Sequence, residues 1–222
     1  MKNIYLVRHG ESIANVDPKI YSTTPDHAVS LSEKGMLQAL EAGQKLCKII
    51  PDDVESDKLR IWTSPYKRTR QTAQILLNEL QSRFPGHVEI KEEVCLSEQQ
   101  FGLFDGLTND ELKQKFPLEY HYYDLAEKHE GKFWARMPLG ESRFDVAVRV
   151  KQTFATFHRD FEKRGVENII IICHGVTLRA FAMQWLHLPY EWFENQPNPK
   201  NGQIYHIDVE KGKGEYVFVP DW

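Results

Sequence analysis

The sequence predicts an α/β fold in three layers, with helices on both sides of a mostly parallel central sheet. Two observations carry that prediction. Strand-like runs at residues 3–7, 59–63, 88–91, 169–173, 203–207 and 216–219 alternate with helical patterns, as in parallel βα units. Three of these runs are near-continuously apolar, as strands covered on both faces must be. A length of 222 residues suits one large α/β domain, and the whole span 1–222 is expected to form it.

The first run, Ile4-Tyr5-Leu6-Val7, leads directly into Arg8-His9-Gly10-Glu11-Ser12. In an open α/β sheet, ligands bind at the carboxyl ends of the strands. Glycine lets the backbone turn sharply there and lets a ligand come close. Arginine offers a fixed fork of donors suited to phosphate oxygens. Histidine ionises near neutrality and serves as base, acid or nucleophile. The turn therefore reads as a phosphate site with a reactive histidine.

A helix then opens with Ser32 as cap, runs through Leu37, Leu40, Ala42, Leu46 and Ile49, and stops before Pro51. After the run at 59–63, Ser64-Pro65 reads as a cap followed by proline in the first helical position of a helix carrying Ala73, Leu76, Leu77 and Leu80. Arg68 falls in its first turn, where free N–H groups and the macrodipole also favour an anion. Beyond the run at 88–91 stands Glu98, an acid able to supply a proton.

Thr108-Asn109-Asp110-Glu111 reads as a capping box opening a short helix that ends before Pro117. The mixed, aromatic-rich stretch around 96–140 reads as a partly helical insertion over the site. One long helix is expected over 142–163, with Phe144, Ala147, Val148, Phe154, Phe157 and Phe161 forming a core stripe. Glu141 and Ser142 either cap that helix or line the pocket. Finally, Ile170-Ile171-Ile172-Cys173-His174-Gly175 repeats the design of the first turn, with a helix following near Thr177. If the two strands are neighbours, both histidines meet at one sheet edge.

Taken together, LVRHGESIAN, LSEKG, TSPYKRTRQTA, LSEQQFGLFDG, the GES at 140–142 and ICHGVTLR resemble the histidine phosphatase superfamily, also called the phosphoglycerate mutase-like family. The resemblance runs from Leu6 to at least Arg179 and implies the phosphoglycerate mutase-like fold. It implies that His9 is the nucleophile, forming a phosphohistidine, and that Arg8, Arg68 and His174 hold the transferred phosphoryl oxygens. It makes Glu98 the proton donor to the leaving alcohol, and later an activator of water. Asn15 and the backbone at Gly175 and Val176 would complete the cradle, while Ser12 either touches the phosphate or caps the next turn. Phosphoryl transfer is mostly positioning and neutralisation of spread negative charge, which two arginines and a histidine supply without a metal or other cofactor. A metal triad of His9, His174 and Glu98 is disfavoured by the adjacent Arg8 and nearby Arg68.

Mutases of this family carry paired arginines that grip a substrate carboxylate, in a longer segment before the second catalytic histidine. The corresponding stretch here, 119–137, holds Tyr120, Tyr122, Tyr123, Phe133 and Trp134 but a single arginine, Arg136. The tryptophan-containing loop after the first motif is also replaced, by residues 16–27. Phosphomonoester hydrolysis is therefore expected, with mutase-type transfer as the alternative and a non-enzymatic phospho-ligand module behind both. Lys19, Lys132 and Arg136 are candidates for a second anionic group on the substrate.

Composition narrows the partners. A net charge of −4, from 28 Lys+Arg against 32 Asp+Glu, argues against nucleic acid, leaving a small phosphorylated substrate. No apolar run approaches the roughly 18–20 residues that span a bilayer, and no signal-peptide pattern opens the chain. Cys47, Cys95 and Cys173 form no zinc spacing and read as buried free thiols, so a cytoplasmic location is expected.

Overall fold

In the computed structural model, which describes residues 1–220, the strands form one sheet in the order β3-β2-β4-β1-β5-β6. They are β1 (Asn3–Arg8), β2 (Leu59–Thr63), β3 (Glu89–Glu92), β4 (Asn168–Cys173), β5 (Ile204–Asp208) and β6 (Lys213–Phe218). β3, β2, β4 and β1 run parallel, β5 is antiparallel to β1, and β6 is antiparallel to β5. The helices are α1 (Ile13–Val16), α2 (Glu33–Ile49), α3 (Lys67–Arg83), α4 (Asn109–Lys115), α5 (Pro117–Glu130), α6 (Arg143–Gln152), α7 (Phe154–Arg164), α8 (Gly175–Trp185) and α9 (Tyr190–Asn195).

Successive strand residues point to opposite faces, and both faces here are apolar. Ile4, Leu6, Ile169 and Ile171 pack with Val146, Val150, Phe157, Leu178 and Phe181 of α6, α7 and α8. Tyr5, Val7, Ile170 and Ile172 pack with Ala39, Leu46, Leu76 and Leu80 of α2 and α3. This explains why β4 reads as unbroken isoleucine: all four, Ile169 to Ile172, are fully buried, each worth about 1.5–3 kcal/mol of transfer free energy.

The register positions the site. Arg8 of β1 pairs with Cys173 of β4, and Val7 and Thr63 both pair with Ile172. His9, His174 and Ser64, the residues following the three strands, therefore leave the sheet side by side at its carboxyl edge. The pairing continues one step beyond the strands: His9 N–H donates to Cys173 O and Ser64 N–H to Ile172 O, each at 3.0 Å.

Three expectations need correction. α3 starts at Lys67 with Tyr66 as its N-cap, not at Ser64-Pro65. Ser64 still follows the strand direction, and Thr69 Oγ1 bonds the carbonyls of Ser64 and Tyr66, which delays the helix and turns Ser64 toward the sheet edge. The long helix is two helices: Thr153 is buried between α6 and α7, and its hydroxyl donates to Val150 O at 2.7 Å. Such back-bonding competes with regular helix continuation. The break splits the aromatic stripe, so Ala147 and Phe157 are buried while Phe144, Val148 and Phe161 are exposed. Of the three free thiols, only Cys173 is buried; Cys47 and Cys95 are half-buried. Among the described residues, no helix is long and apolar enough to cross a membrane.

Candidate active site

Arg68, in the first turn of α3, sits between the two strand-tip histidines. Its Nε donates to His9 Nε2 and its Nη2 to His174 Nδ1, each at 3.3 Å. Its Nη1 donates to both the backbone carbonyl and Oδ1 of Asp26, each at 2.7 Å. The imidazole centroids are 5.1 Å apart, edge to face. His9, Arg68 and His174 are 3%, 3% and 0% exposed, so the guanidinium's field acts with little screening by water. Tyr66 closes one wall, its ring 4.9 Å from both the Arg68 guanidinium carbon and the His174 ring.

Arg8 ends β1 on the same edge. Its guanidinium donates to the carbonyl of Pro199, while its buried Nε has no hydrogen-bond partner among the described residues. Leaving a buried donor unpaired is costly, so Arg8 is a donor suited to an incoming anion. Gly10 allows the turn: a Cβ there would lie 2.1 Å from the backbone oxygen of Gly35 in α2. Only a residue without a side chain lets the two backbones touch.

The network assigns the protons. A guanidinium can only donate, so His9 Nε2 accepts from Arg68 and the ring proton resides on Nδ1, which donates to Gly10 O at 2.6 Å. By the same logic His174 Nδ1 accepts, and its Nε2–H donates to Ser64 Oγ at 2.9 Å. Burial, and then the charges of Arg68 and Arg8, push His9 well below the usual histidine value; burial and Arg68 do the same to His174. Both rings are neutral near pH 7, and His9 presents a lone pair on Nε2.

Glu98 lies on a turn held from two sides. Arg149 of α6 donates to Cys95 O at 2.7 Å and Glu98 O at 3.0 Å, and pairs with the Glu141 carboxylate at 2.8 Å. Thr177 of α8 donates to Ser97 O at 2.7 Å. The Glu98 carboxylate accepts from the Gln99 N–H at 2.9 Å. Burial nonetheless raises its pKa above the ordinary 4.5, outweighing that hydrogen bond and the nearby Arg68 and Arg8.

The other expected site residues divide. Ser12 caps α1, accepting from the Asn15 N–H, while Asn15 Oδ1 accepts from the Ser12 N–H. Asn15 is exposed and also accepts from Asn201 Nδ2 at 3.3 Å. α8 begins at Gly175 with His174 as N-cap, so the N–H groups of Gly175 and Val176 are first-turn donors beside the histidine. Ser142 caps α6 in a capping box with Asp145, and Glu141 is the partner of Arg149. Arg70 is exposed and paired with Glu92, which leaves Arg68 as the arginine between the histidines.

Sequence reasoning passed over Asp26, Ser64, Arg149 and Asn201. Ser64 carried a signal, as the end of a third strand, but matched a helix cap equally well. Asn201, whose Nδ2 donates to His9 O at 3.1 Å, lies in a turn before β5 with no pattern of its own.

The model of the histidine phosphatase superfamily (branch 1) matches residues 4–221. The chain belongs to this family. Phosphoglycerate mutase-like protein AT74 of Arabidopsis thaliana is 35% identical, over 97% of this chain and 67% of its own length. The broad-range acid phosphatase DET1 of Saccharomyces cerevisiae is 25% identical, over 99% of this chain and 90% of its own. Among solved structures, the alpha-ribazole phosphatase of Shigella flexneri superposes with a TM-score of 0.72 at 22% identity, covering 98% of this chain and 95% of that one. This last likeness establishes the histidine phosphatase fold. The superfamily's relatives of this chain include both phosphatases and mutase-like proteins.

Proposed function

We propose that this histidine phosphatase hydrolyses phosphomonoesters through a phosphohistidine on His9. The observation that carries the reading is the arrangement of a buried, neutral His9 with its Nε2 lone pair toward Arg68, beside His174 and Arg8. His9 Nε2 attacks phosphorus, a P–N bond forms and the ester P–O bond breaks, while Glu98 gives its proton to the departing alkoxide. Water then attacks the phosphohistidine, Glu98 takes its proton, the P–N bond breaks, and inorganic phosphate leaves. Arg8, Arg68, His174 and the first-turn N–H groups of α8 face the spread negative charge in both steps, the recurrent task in phosphoryl transfer. Asn15 stands at the edge of that cradle.

Water is the acceptor in this reading because the one arginine of the stretch 119–137 is already held within the protein. Arg136 is engaged by Asp145 at 2.6 Å and by Gly140 O. Phe101, Phe104 and Tyr123, from the segment around 96–140, line a cavity of about 330 Å³ together with Lys132. The test is a panel of phosphorylated metabolites scored in one assay for free phosphate and for isomerised product. Release of phosphate without isomer is expected; stoichiometric isomerisation without release overturns the reading in favour of a mutase.

A pH dependence follows with a definite sign. His9 must be neutral to attack, and its depressed pKa places the acid limb of kcat/KM below 6.5. Glu98 must be protonated to donate, and its raised pKa places the alkaline limb above 4.5. With an alkyl phosphate, whose leaving group needs the proton, kcat/KM is expected to rise as the pH falls from alkali and Glu98 gains its proton. A profile that falls on acidification from pH 8 to 6 and peaks in alkali contradicts these assignments.

A further inference from the structure

Every nitrogen of the Arg149 guanidinium is engaged at or beside the turn that carries Glu98. Nε and Nη2 donate to the two oxygens of the Glu141 carboxylate, at 2.8 and 3.0 Å. Nη1 donates to Cys95 O at 2.7 Å, and Nη2 also to Glu98 O at 3.0 Å. A guanidinium is a rigid planar fork, so it holds two carbonyls three residues apart in one plane. The fork itself is fixed. Its partner Glu141 accepts from the Gln100 N–H at 3.0 Å through the carboxylate and donates its own N–H to Gln100 O at 2.8 Å. Val146, Ala147 and Val150 bury α6 in the core, so Arg149 reaches the turn from a packed helix.

The Glu98 carbonyl and the Gln99 N–H belong to one peptide unit, which is planar. Arg149 holds that unit by its oxygen, while the N–H at its other end donates to Glu98 Oε1 at 2.9 Å. The Gln99 side chain, buried at 3% exposed, anchors the same place by donating to Glu141 O at 2.8 Å. The carboxyl is thus oriented by the very peptide that Arg149 grips, and turning that peptide turns the carboxyl. Thr177 bonds Ser97 O, one residue upstream, and so steadies the turn without touching this unit.

We propose that Arg149 is a positioning residue for proton transfer: through the 98–99 peptide it holds the Glu98 carboxyl at the angle from which the leaving alkoxide is protonated. This inference rests on the phosphatase reading and on Glu98 as its proton donor. Arg149 then matters in proportion to how much the departing oxygen needs a proton. Misplacing a catalytic group by about 1 Å can cost about 10²-fold, whereas a leaving group that departs as a stable anion is indifferent to the shift.

Rapid mixing with excess enzyme reads the first step alone, as glycerol released from glycerol 3-phosphate and as nitrophenolate released from p-nitrophenyl phosphate. Arg149→Met removes the donors and keeps most of the apolar stem. It is expected to lower the alkyl-to-aryl rate ratio by at least about tenfold, and Arg149→Lys, which keeps the charge without the fork, by nearly as much. In a Glu98→Gln background the same substitution is expected to change the ratio by less than about twofold, since residues that act through one another do not add. Because the ratio is read within one preparation, partial loss of folded protein cancels. Arg60→Met is the structural control: Arg60, near the start of β2, is 6% exposed and paired with Asp160 at 2.8 Å, and its loss is expected to lower stability and leave the ratio alone. An unchanged ratio in Arg149→Met, a shift that persists in the Glu98→Gln background, or an equal shift in Arg60→Met overturns the inference alone. Equal losses on both esters in Glu98→Gln overturn the proton-donor role and the inference with it. A wild-type protein that cleaves neither ester and carries no labelled His9 overturns the phosphatase reading itself.

Discussion

His9→Ala is expected to abolish hydrolysis, with a fall in kcat of at least about 10⁴-fold, because the nucleophile of a covalent mechanism has no substitute. Arg68, Arg8 and His174 would remain and still bind phosphate, so the variant should lose turnover rather than affinity for inorganic phosphate. The label decides the point. Wild-type protein mixed with a radiolabelled phosphomonoester and quenched in alkali should carry phosphate on a histidine, released by mild acid, and His9→Ala should carry none. Truncating a buried imidazole also removes the Arg68 Nε contact at 3.3 Å, so circular dichroism and phosphate binding serve to show that the variant is folded. A folded variant with wild-type turnover, or a wild-type enzyme that turns over without passing through the labelled species, would remove His9 from its proposed role.

Glu98→Gln is expected to show a dependence on the leaving group. Loss of a general acid typically costs about 10²–10⁴-fold where the departing oxygen needs a proton. An alkyl phosphate should suffer that full loss in the first turnover. p-Nitrophenyl phosphate, whose phenolate leaves readily without a proton, should still phosphorylate His9 at a rate close to wild type. Because Glu98 also takes the proton of the attacking water, the second step should slow on both substrates. Rapid mixing with p-nitrophenyl phosphate should then yield a burst of nitrophenolate of about one per site, followed by slow turnover. Equal losses for both esters in the burst phase would mean that Glu98 acts on binding or folding rather than on the proton.

Much of this site is visible before folding because it sits at strand tips. Arg8-His9-Gly10 and His174-Gly175 each follow an apolar run long enough to be a buried strand; one such histidine is commonly structural, but two histidine–glycine turns in one chain point to a shared ligand site. The parallel sheet was legible for the same reason, since only strands covered on both faces tolerate Ile169 to Ile172 in succession. The strand order was not. β4 lies between β1 and β2, a choice made by packing among elements far apart in the chain. Asp26 was invisible because its loop has no periodicity, and its partner Arg68 is reached only once that loop folds onto α3. Arg149 was hidden differently, looking like a solvated charge on a helix until the 95–98 turn arrived to use its donors. The two-helix break at Thr153 shows the limit of periodic reading: a single hydroxyl reset the phase of the phenylalanines.

The position of β1 has a consequence for how the molecule comes into being. Its neighbours are β4 and β5, which lie far downstream in the chain, so β1 cannot pair within the sheet until those segments have been made. Until then Ile4-Tyr5-Leu6-Val7 is an unpaired apolar segment, the kind that sticks to other chains. The two histidines come together only when β4 pairs beside β1, so the site is completed late in synthesis. Such long-range pairing also slows refolding. A nascent or truncated chain ending before β4 lacks His174 and so cannot bring the two histidines together.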